Sequence, residues 1–263
     1  MIKALFTSAT GMNAQQLVVD NTANNLANVN TTGFKRSQMD FQDLIYVTQR
    51  APGTEAAAGL QIPNGLQIGS GVRVSGNTKI FSEGVLEPTN NPLDLAIQGD
   101  GFFRIVLPSG QLNYTRDGSF KKNSTGDLVT SGGFLLDPKI TIPTDAVSVT
   151  IGTDGTVSAL VGANTTKPTV LGKITLTRFS NPAGLQSEGS NLFSETAASG
   201  SPKEVTPGLE GAGSLLEGHL ERSNVEVVQE LVSLIQAQRA YEINSRAIRV
   251  ADEMLSDANN IVR

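Results

Sequence analysis

The single histidine, His219, stands between Glu217 and Glu221, a spacing at which an imidazole and two carboxylates could pass a proton. Catalysis needs further titratable groups converging on that point, and the surrounding sequence, which reads as the start of the last helix, brings none. A surface or capping role fits the residue better. Glu226 and Glu230 follow at i and i+4, the spacing of a metal-ligand pair on one helix face. With no histidine or further acid close by, they read as a solvated face. Gly99-Asp100-Gly101 and Gly69-Ser70-Gly71 begin as phosphate-cradling loops do, but neither completes a GxGxxG or Walker sequence. Both are predicted to be hairpin turns. The chain has no cysteine, which removes disulfides, zinc thiolates and thiol nucleophiles. No catalytic residue, cofactor or metal site is predicted.

What the chain is made of narrows its partners. A net charge of −5 over 263 residues, with only the short basic pairs Lys35-Arg36 and Lys121-Lys122, gives no concentrated basic face for nucleic acid. No segment approaches the ~18 apolar residues of a membrane span. After Lys3 comes only Ala4-Leu5-Phe6 before polar residues, too short an apolar run for a signal peptide. The expectation is a chain that is not membrane-embedded and that stays in the cytoplasm, unless it leaves by a route reading no cleaved signal.

The elements that would position any function divide sharply. All eleven prolines lie between Pro52 and Pro207, and all but one of the 27 glycines lie between Gly33 and Gly218. Such punctuation forbids long helix in the middle and leaves it open at both ends. The ends carry apolar residues seven apart: Leu5, Met12, Val19 and Leu26, then Leu220, Val227, Leu234, Tyr241, Ile248, Leu255 and Val262. Residues 3–30 read as a helix with Gly33 free to take a left-handed conformation at its stop. Its second stripe, Asn21, Asn24, Asn25 and Asn28, puts four amides on one face and leaves the helix marginal alone. A last helix is predicted from Glu217 to the end. One apolar residue per heptad is a thin stripe that needs a partner helix, and a buried Asn sets register.

The middle reads as β. Leu93, Leu95 and Ile97 alternate, as do Phe103, Ile105 and Leu107, and turns recur at Pro108-Ser109-Gly110, Asp117-Gly118, Gly132-Gly133 and Asp154-Gly155. Residues 46–71 read as an extended or hairpin insert with its turn at Asn64-Gly65. The predicted fold is therefore α+β. Long N- and C-terminal helices pair as a coiled-coil-like domain, and an antiparallel all-β domain is inserted between them. The divisions are 1–45 (N-terminal arm), 46–71 (insert), 72–207 (β domain) and 208–263 (C-terminal arm, pairing with the first). Leu5, Met12, Val19, Asn24, Asn25, Leu26, Asn28, Leu220, Val227, Leu234, Tyr241, Ile248 and Leu255 are the predicted assembly interface.

The run Ala23-Asn24-Asn25-Leu26-Ala27-Asn28-Val29-Asn30-Thr31-Thr32-Gly33-Phe34-Lys35-Arg36 resembles the signature of the bacterial flagellar rod and hook family. Ser223-Asn224-Val225-Glu226 and Gln236-Ala237-Gln238-Arg239-Ala240-Tyr241-Glu242-Ile243-Asn244 resemble its C-terminal motif. Asn91-Pro92-Leu93-Asp94-Leu95-Ala96-Ile97 and Gly189-Ser190-Asn191-Leu192-Phe193 resemble segments of its β domain. The resemblance covers essentially the whole chain. Its length and the insert ending at Leu66-Gln67-Ile68-Gly69-Ser70-Gly71 are similar to the distal rod subunits. It implies a structural subunit, not an enzyme, polymerising into a hollow shaft that transmits torque and encloses the export channel. It also implies a place in the periplasm-spanning basal body, reached through type III export without a cleaved signal. The partners implied are further copies of itself, proximal rod proteins, hook protein, the surrounding ring proteins and the export apparatus. A hook or proximal rod subunit is the alternative within the family, and a carbohydrate-binding β-domain protein the alternative outside it.

Overall fold

The two stretches free of proline form the two helices, α1 (Ile2–Ala27) and α2 (Val227–Ile261). The computed structural model describes residues 2–53, 55–57, 60–61, 63–162 and 168–261. Val262, the last residue of the heptad series, lies outside them. The chain divides into two compact units: Met1–Ala27, Ser37–Thr78 and Glu226–Arg263 form one, Asn28–Arg36 and Lys79–Val225 the other.

In the first unit α1 packs along α2. Between them in sequence come β1 (Ser37–Asp43), β2 (Tyr46–Arg50), β3 (Glu55–Ala57), β4 (Leu60–Gln61), β5 (Leu66–Gly69) and β6 (Val72–Lys79). β1 pairs with β6, and β2 with β5 in antiparallel register from Tyr46↔Gly69 to Arg50↔Leu66. β3 pairs with β4 in antiparallel register. The Asn64-Gly65 pair, expected at the tip, instead joins β4 to β5. Its neighbour explains why a glycine stands there: a Cβ on Gly65 would lie 2.8 Å from the Arg50 carbonyl oxygen.

The second unit holds β7 (Leu86–Pro88), β8 (Leu95–Gln98), β9 (Phe102–Val106), β10 (Leu112–Thr115), β11 (Lys121–Lys122), β12 (Leu128–Val129) and β13 (Leu135–Asp137). It continues with β14 (Ala146–Ile151), β15 (Thr156–Val161), β16 (Thr169–Lys173), β17 (Leu176–Arg178), β18 (Gln186–Gly189) and β19 (Leu192–Ser194). β20 (Lys203–Val205), β21 (Ser214–Glu217) and β22 (His219–Glu221) complete it. β9 is the hub. β10 runs antiparallel along one edge, while β13 and β17 share the other. Successive side chains of β9 point to opposite faces. Phe103 therefore joins an aliphatic core with Leu95, Ile97, Val157, Ile174 and Leu176. Phe102 joins Tyr114, Phe179, Leu185 and Phe193, with Phe81 against them. The chain is poor in aromatics and concentrates them here, ring against ring at edge-to-face angles. Each such pair adds ~0.5–1.5 kcal/mol beyond its burial.

The turns at 108–110, 132–133 and 154–155 close the hairpins β9–β10, β12–β13 and β14–β15, as their sequences predict. The two Gly-X-Gly segments do something else. β8 pairs with β21 and not with β9, so Gly99-Asp100-Gly101 carries the chain from one strand pair to another. Leu95, Ala96 and Ile97 are all fully buried, which shows that β8 is covered on both faces and explains why its apparent alternation did not mean a hairpin. Gly69-Ser70-Gly71 likewise connects β5 to β6, each paired elsewhere.

α2 also begins later than its heptads suggest. Gly218 takes a left-handed φ of 68° between β21 and β22, and β22 pairs with β7, setting Leu220 opposite Glu87. His219 thus lies on a strand, its Nδ1 2.9 Å from the Glu217 carbonyl oxygen, and not at a helix start. The ladder bonds of β22 hold this segment out of the helix.

Candidate assembly interface

The contact between α1 and α2 is built from small and amide side chains. Gly11 sits on Asn244, so close that a Cβ there would lie 2.9 Å from Asn244 Nδ2. Asn25 Nδ2 reaches Glu230 Oε2 at 3.3 Å. These two contacts are fourteen residues apart on both helices and run in opposite directions, so the helices are antiparallel and remain in step over two heptads. On α2 the row nearest α1 is Glu230, Ala237, Asn244 and Ala251, of which Glu230, Ala237 and Ala251 are buried. On α1 the buried residues are Ala14, Thr22 and Asn25. Small side chains let two helix axes approach closely.

The predicted apolar heptad row stands beside this contact row. Leu5, Met12, Val19, Leu26, Leu234, Ile248 and Leu255 are half-buried, whereas Val227 and Tyr241 are exposed. Leu220 is not part of the helix at all. Its spacing fits the heptad row, but β-pairing with Glu87 claims it. Asn24 is exposed; Asn28, past the end of α1, accepts a hydrogen bond from Thr31 Oγ1.

Two of the four stripe amides have a defined task. Asn25 Oδ1 accepts from Ser37 N at 3.0 Å while its Nδ2 donates to Ser37 O at 2.9 Å, as a neighbouring strand would. Asn21 Nδ2 donates to the same carbonyl at 2.8 Å. The amide face thus holds the start of β1 on α1. Glu230 is buried against Asn25 while Glu226 is exposed, so the two carboxylates do not share a solvated face. Among the described residues no group of three or more histidine, cysteine and acidic side chains could hold a metal.

Opposite the covered face, α2 is apolar again. At ~100° per residue, Val228, Leu231, Val232 and Ile235 span about a quarter of the circumference on the far side from Ala237. Val228 is 74% exposed and Ile235 48%. Ile243, Val250 and Met254 are exposed on the flank of α2 between that side and the contact row. The i, i+3, i+4, i+7 spacing of the first four was readable in the sequence.

The two ends of the sequence also meet in the second unit. Gly33 N donates to Glu221 O at 2.8 Å and Arg36 N to Asn224 Oδ1 at 2.8 Å. Asn224 Nδ2 donates in turn to Ile80 O at 2.8 Å. Gly33 has a left-handed φ of 66°, and a Cβ on it would lie 2.6 Å from Asp117 N. Only glycine serves both demands. Lys35, fully buried, donates to Ser82 O at 2.6 Å and is ion-paired with buried Glu221. Burial pushes the Lys35 ammonium below the usual lysine range, against the opposing pull of Glu221.

Three family profiles match the chain: residues 5–35 match "Flagella basal body rod protein", 96–159 the "Flagellar hook protein FlgE/F/G D1 domain" and 216–261 the "Flagellar basal body rod FlgEFG protein C-terminal". Over its full length the chain is 49% identical to the flagellar basal-body rod protein FlgG of Borreliella burgdorferi, covering 100% of both chains. It is 46% identical to that of Caulobacter vibrioides, covering 99% of both, and 40% identical to that of Bacillus subtilis, covering 100% of both. The chain belongs to the flagellar basal-body rod FlgG family. It is a structural subunit, and its place is the basal-body rod. The first and last of these profile matches contain pairs just described: Gly11 and Asn25 meet Asn244 and Glu230, and Gly33 meets Glu221. Among the described residues no helix is long and apolar enough to cross a membrane.

Proposed function

We propose that the chain polymerises with copies of itself into the hollow distal rod of the flagellar basal body, carrying torque to the hook around an export channel. The observation that carries this reading is the exposed apolar face of α2, Val228, Leu231, Val232 and Ile235, on the far side from the α1 contact. A second copy is the occupant, because a rod is made of repeated subunits and a contact between unlike faces whose rotation does not close builds an open filament. The α1–α2 pair packs as an antiparallel coiled coil, with Leu5, Met12, Val19, Asn25, Leu26, Leu234, Ile248 and Leu255 along it. Hook protein, proximal rod proteins, ring proteins and the export apparatus are the other partners. Export proceeds without a cleaved signal, and the rod spans the periplasm.

The exposed side chains of Ile45, Tyr46, Val47, Leu66 and Ile68 give the β2–β5 hairpin a second apolar surface. It packs on neighbouring copies and stiffens the shaft. Electron micrographs of the concentrated full-length chain should show straight hollow tubes. Curved polymers would favour a hook subunit, and the absence of any polymer would contradict the proposal.

A further inference from the structure

A cavity of about 40 Å³ in the second unit is lined by Phe81, Phe102, Phe179 and Pro182 and by Arg116 and Arg178. Asp100 and Gly101 complete its lining. Holding one water takes only ~10–15 Å³, so a group of several atoms fits.

The charges around the cavity do not balance. Arg116 is 3% exposed, and its Nη2 donates to Gly99 O at 2.7 Å, yet its Nη1 and Nε have no hydrogen-bond acceptor among the described residues. Nε stands 3.8 Å from Glu221 Oε2, which also lacks a hydrogen bond. The other oxygen of Glu221 is taken by Lys35 Nζ and Gly84 N. Two buried cations, Lys35 and Arg116, thus share one buried carboxylate. Asp100 offers little relief: its side chain is 75% exposed and stands 3.8 Å from Arg178. A buried guanidinium with idle donors is costly unless an anion meets it.

We infer that this cavity is an anion site for a small carboxylate. Arg116 Nη1 donates to the carboxylate, and Arg178 adds a second positive charge at the rim. A flat, two-oxygen group matches a guanidinium fork and fits a slot between rings. The carboxylate comes either from a dissolved acid or from an Asp or Glu side chain of a second copy.

The test is a titration of the dilute full-length chain with sodium acetate, balanced by sodium chloride at constant ionic strength. Arginine Nε–H signals are followed by NMR. The Arg116 signal should shift saturably while that of exposed Arg222 does not, and Arg178→Gln should weaken the apparent affinity about tenfold, the loss of one charged interaction. An Arg116 shift that stays linear, or that matches Arg222, would overturn the site. So would full affinity in Arg178→Gln. Sedimentation of the polymer over the same acetate range then identifies the source. Slowed assembly at constant ionic strength assigns the site to a neighbouring copy's carboxylate, and unchanged assembly to a dissolved one.

Discussion

Gly11 and Asn244 face each other so closely across the helix pair that any side chain on Gly11 must displace the amide. Gly11 is the sole glycine of the first 32 residues, where helix propensity alone would favour its replacement. An alanine can push the flexible amide aside. A leucine cannot, and Gly11→Leu should destabilise the first unit by about 1–3 kcal/mol, as overpacking does. Urea unfolding followed by circular dichroism at 222 nm measures it.

Asn25 substitutes for a missing strand at Ser37. Asn25→Ala leaves the Ser37 N–H without its partner in a buried place, at a cost of about 2–4 kcal/mol for the bonds together. Amide hydrogen exchange at Ser37 should accelerate well beyond that of residues in β9. Unchanged protection at Ser37 would mean that the amide merely accompanies the packing.

The Lys35–Glu221–Arg116 cluster separates two substitutions that look equivalent. Glu221→Gln leaves two buried cations uncompensated and should cost about 3–5 kcal/mol. Lys35→Met should cost less, because Arg116 remains to neutralise Glu221. Equal losses in denaturant melts would refute the charge count.

Asp127 supplies a pH dependence. The Thr141 hydroxyl, then Lys139 at 3.0 Å, hold its carboxyl down at about 2. A carboxyl depressed below its unfolded value of ~3.9 stabilises the fold above about pH 4 and loses that contribution as pH falls through about 2. Asp127→Asn should therefore flatten the melting temperature between pH 4 and pH 2, where the native chain declines. A native profile already flat in that window would contradict it.

The helices and most hairpins were legible because glycine, proline and apolar spacing are local signals. Gly132-Gly133 and Asp154-Gly155 turn where they were expected to. The failures share a cause in pairing at a distance. β8 finds β21 more than a hundred residues on, and β22 captures Leu220 with Glu87, so neither an alternating pattern nor a heptad count could reveal the partner. The helix contact was only partly legible for another reason. Ala237, Asn244 and Ala251 carry little apolar signal, yet they lie in the tightest row because small side chains permit the approach. Lys35 and Glu221 were invisible together, being 186 residues apart.

The central claim is that the outward face of α2 binds another copy. Ile235 is 48% exposed there and lies opposite the α1 contact, so Ile235→Asp should leave the monomer's helicity and melting intact. Leu234→Asp, its half-buried neighbour, should disturb both folding and assembly. The decisive measurement is sedimentation and electron microscopy of concentrated Ile235→Asp beside the native chain. The account predicts native tubes and a variant that remains in the supernatant as folded monomer; tubes of normal length and yield from the variant would contradict it.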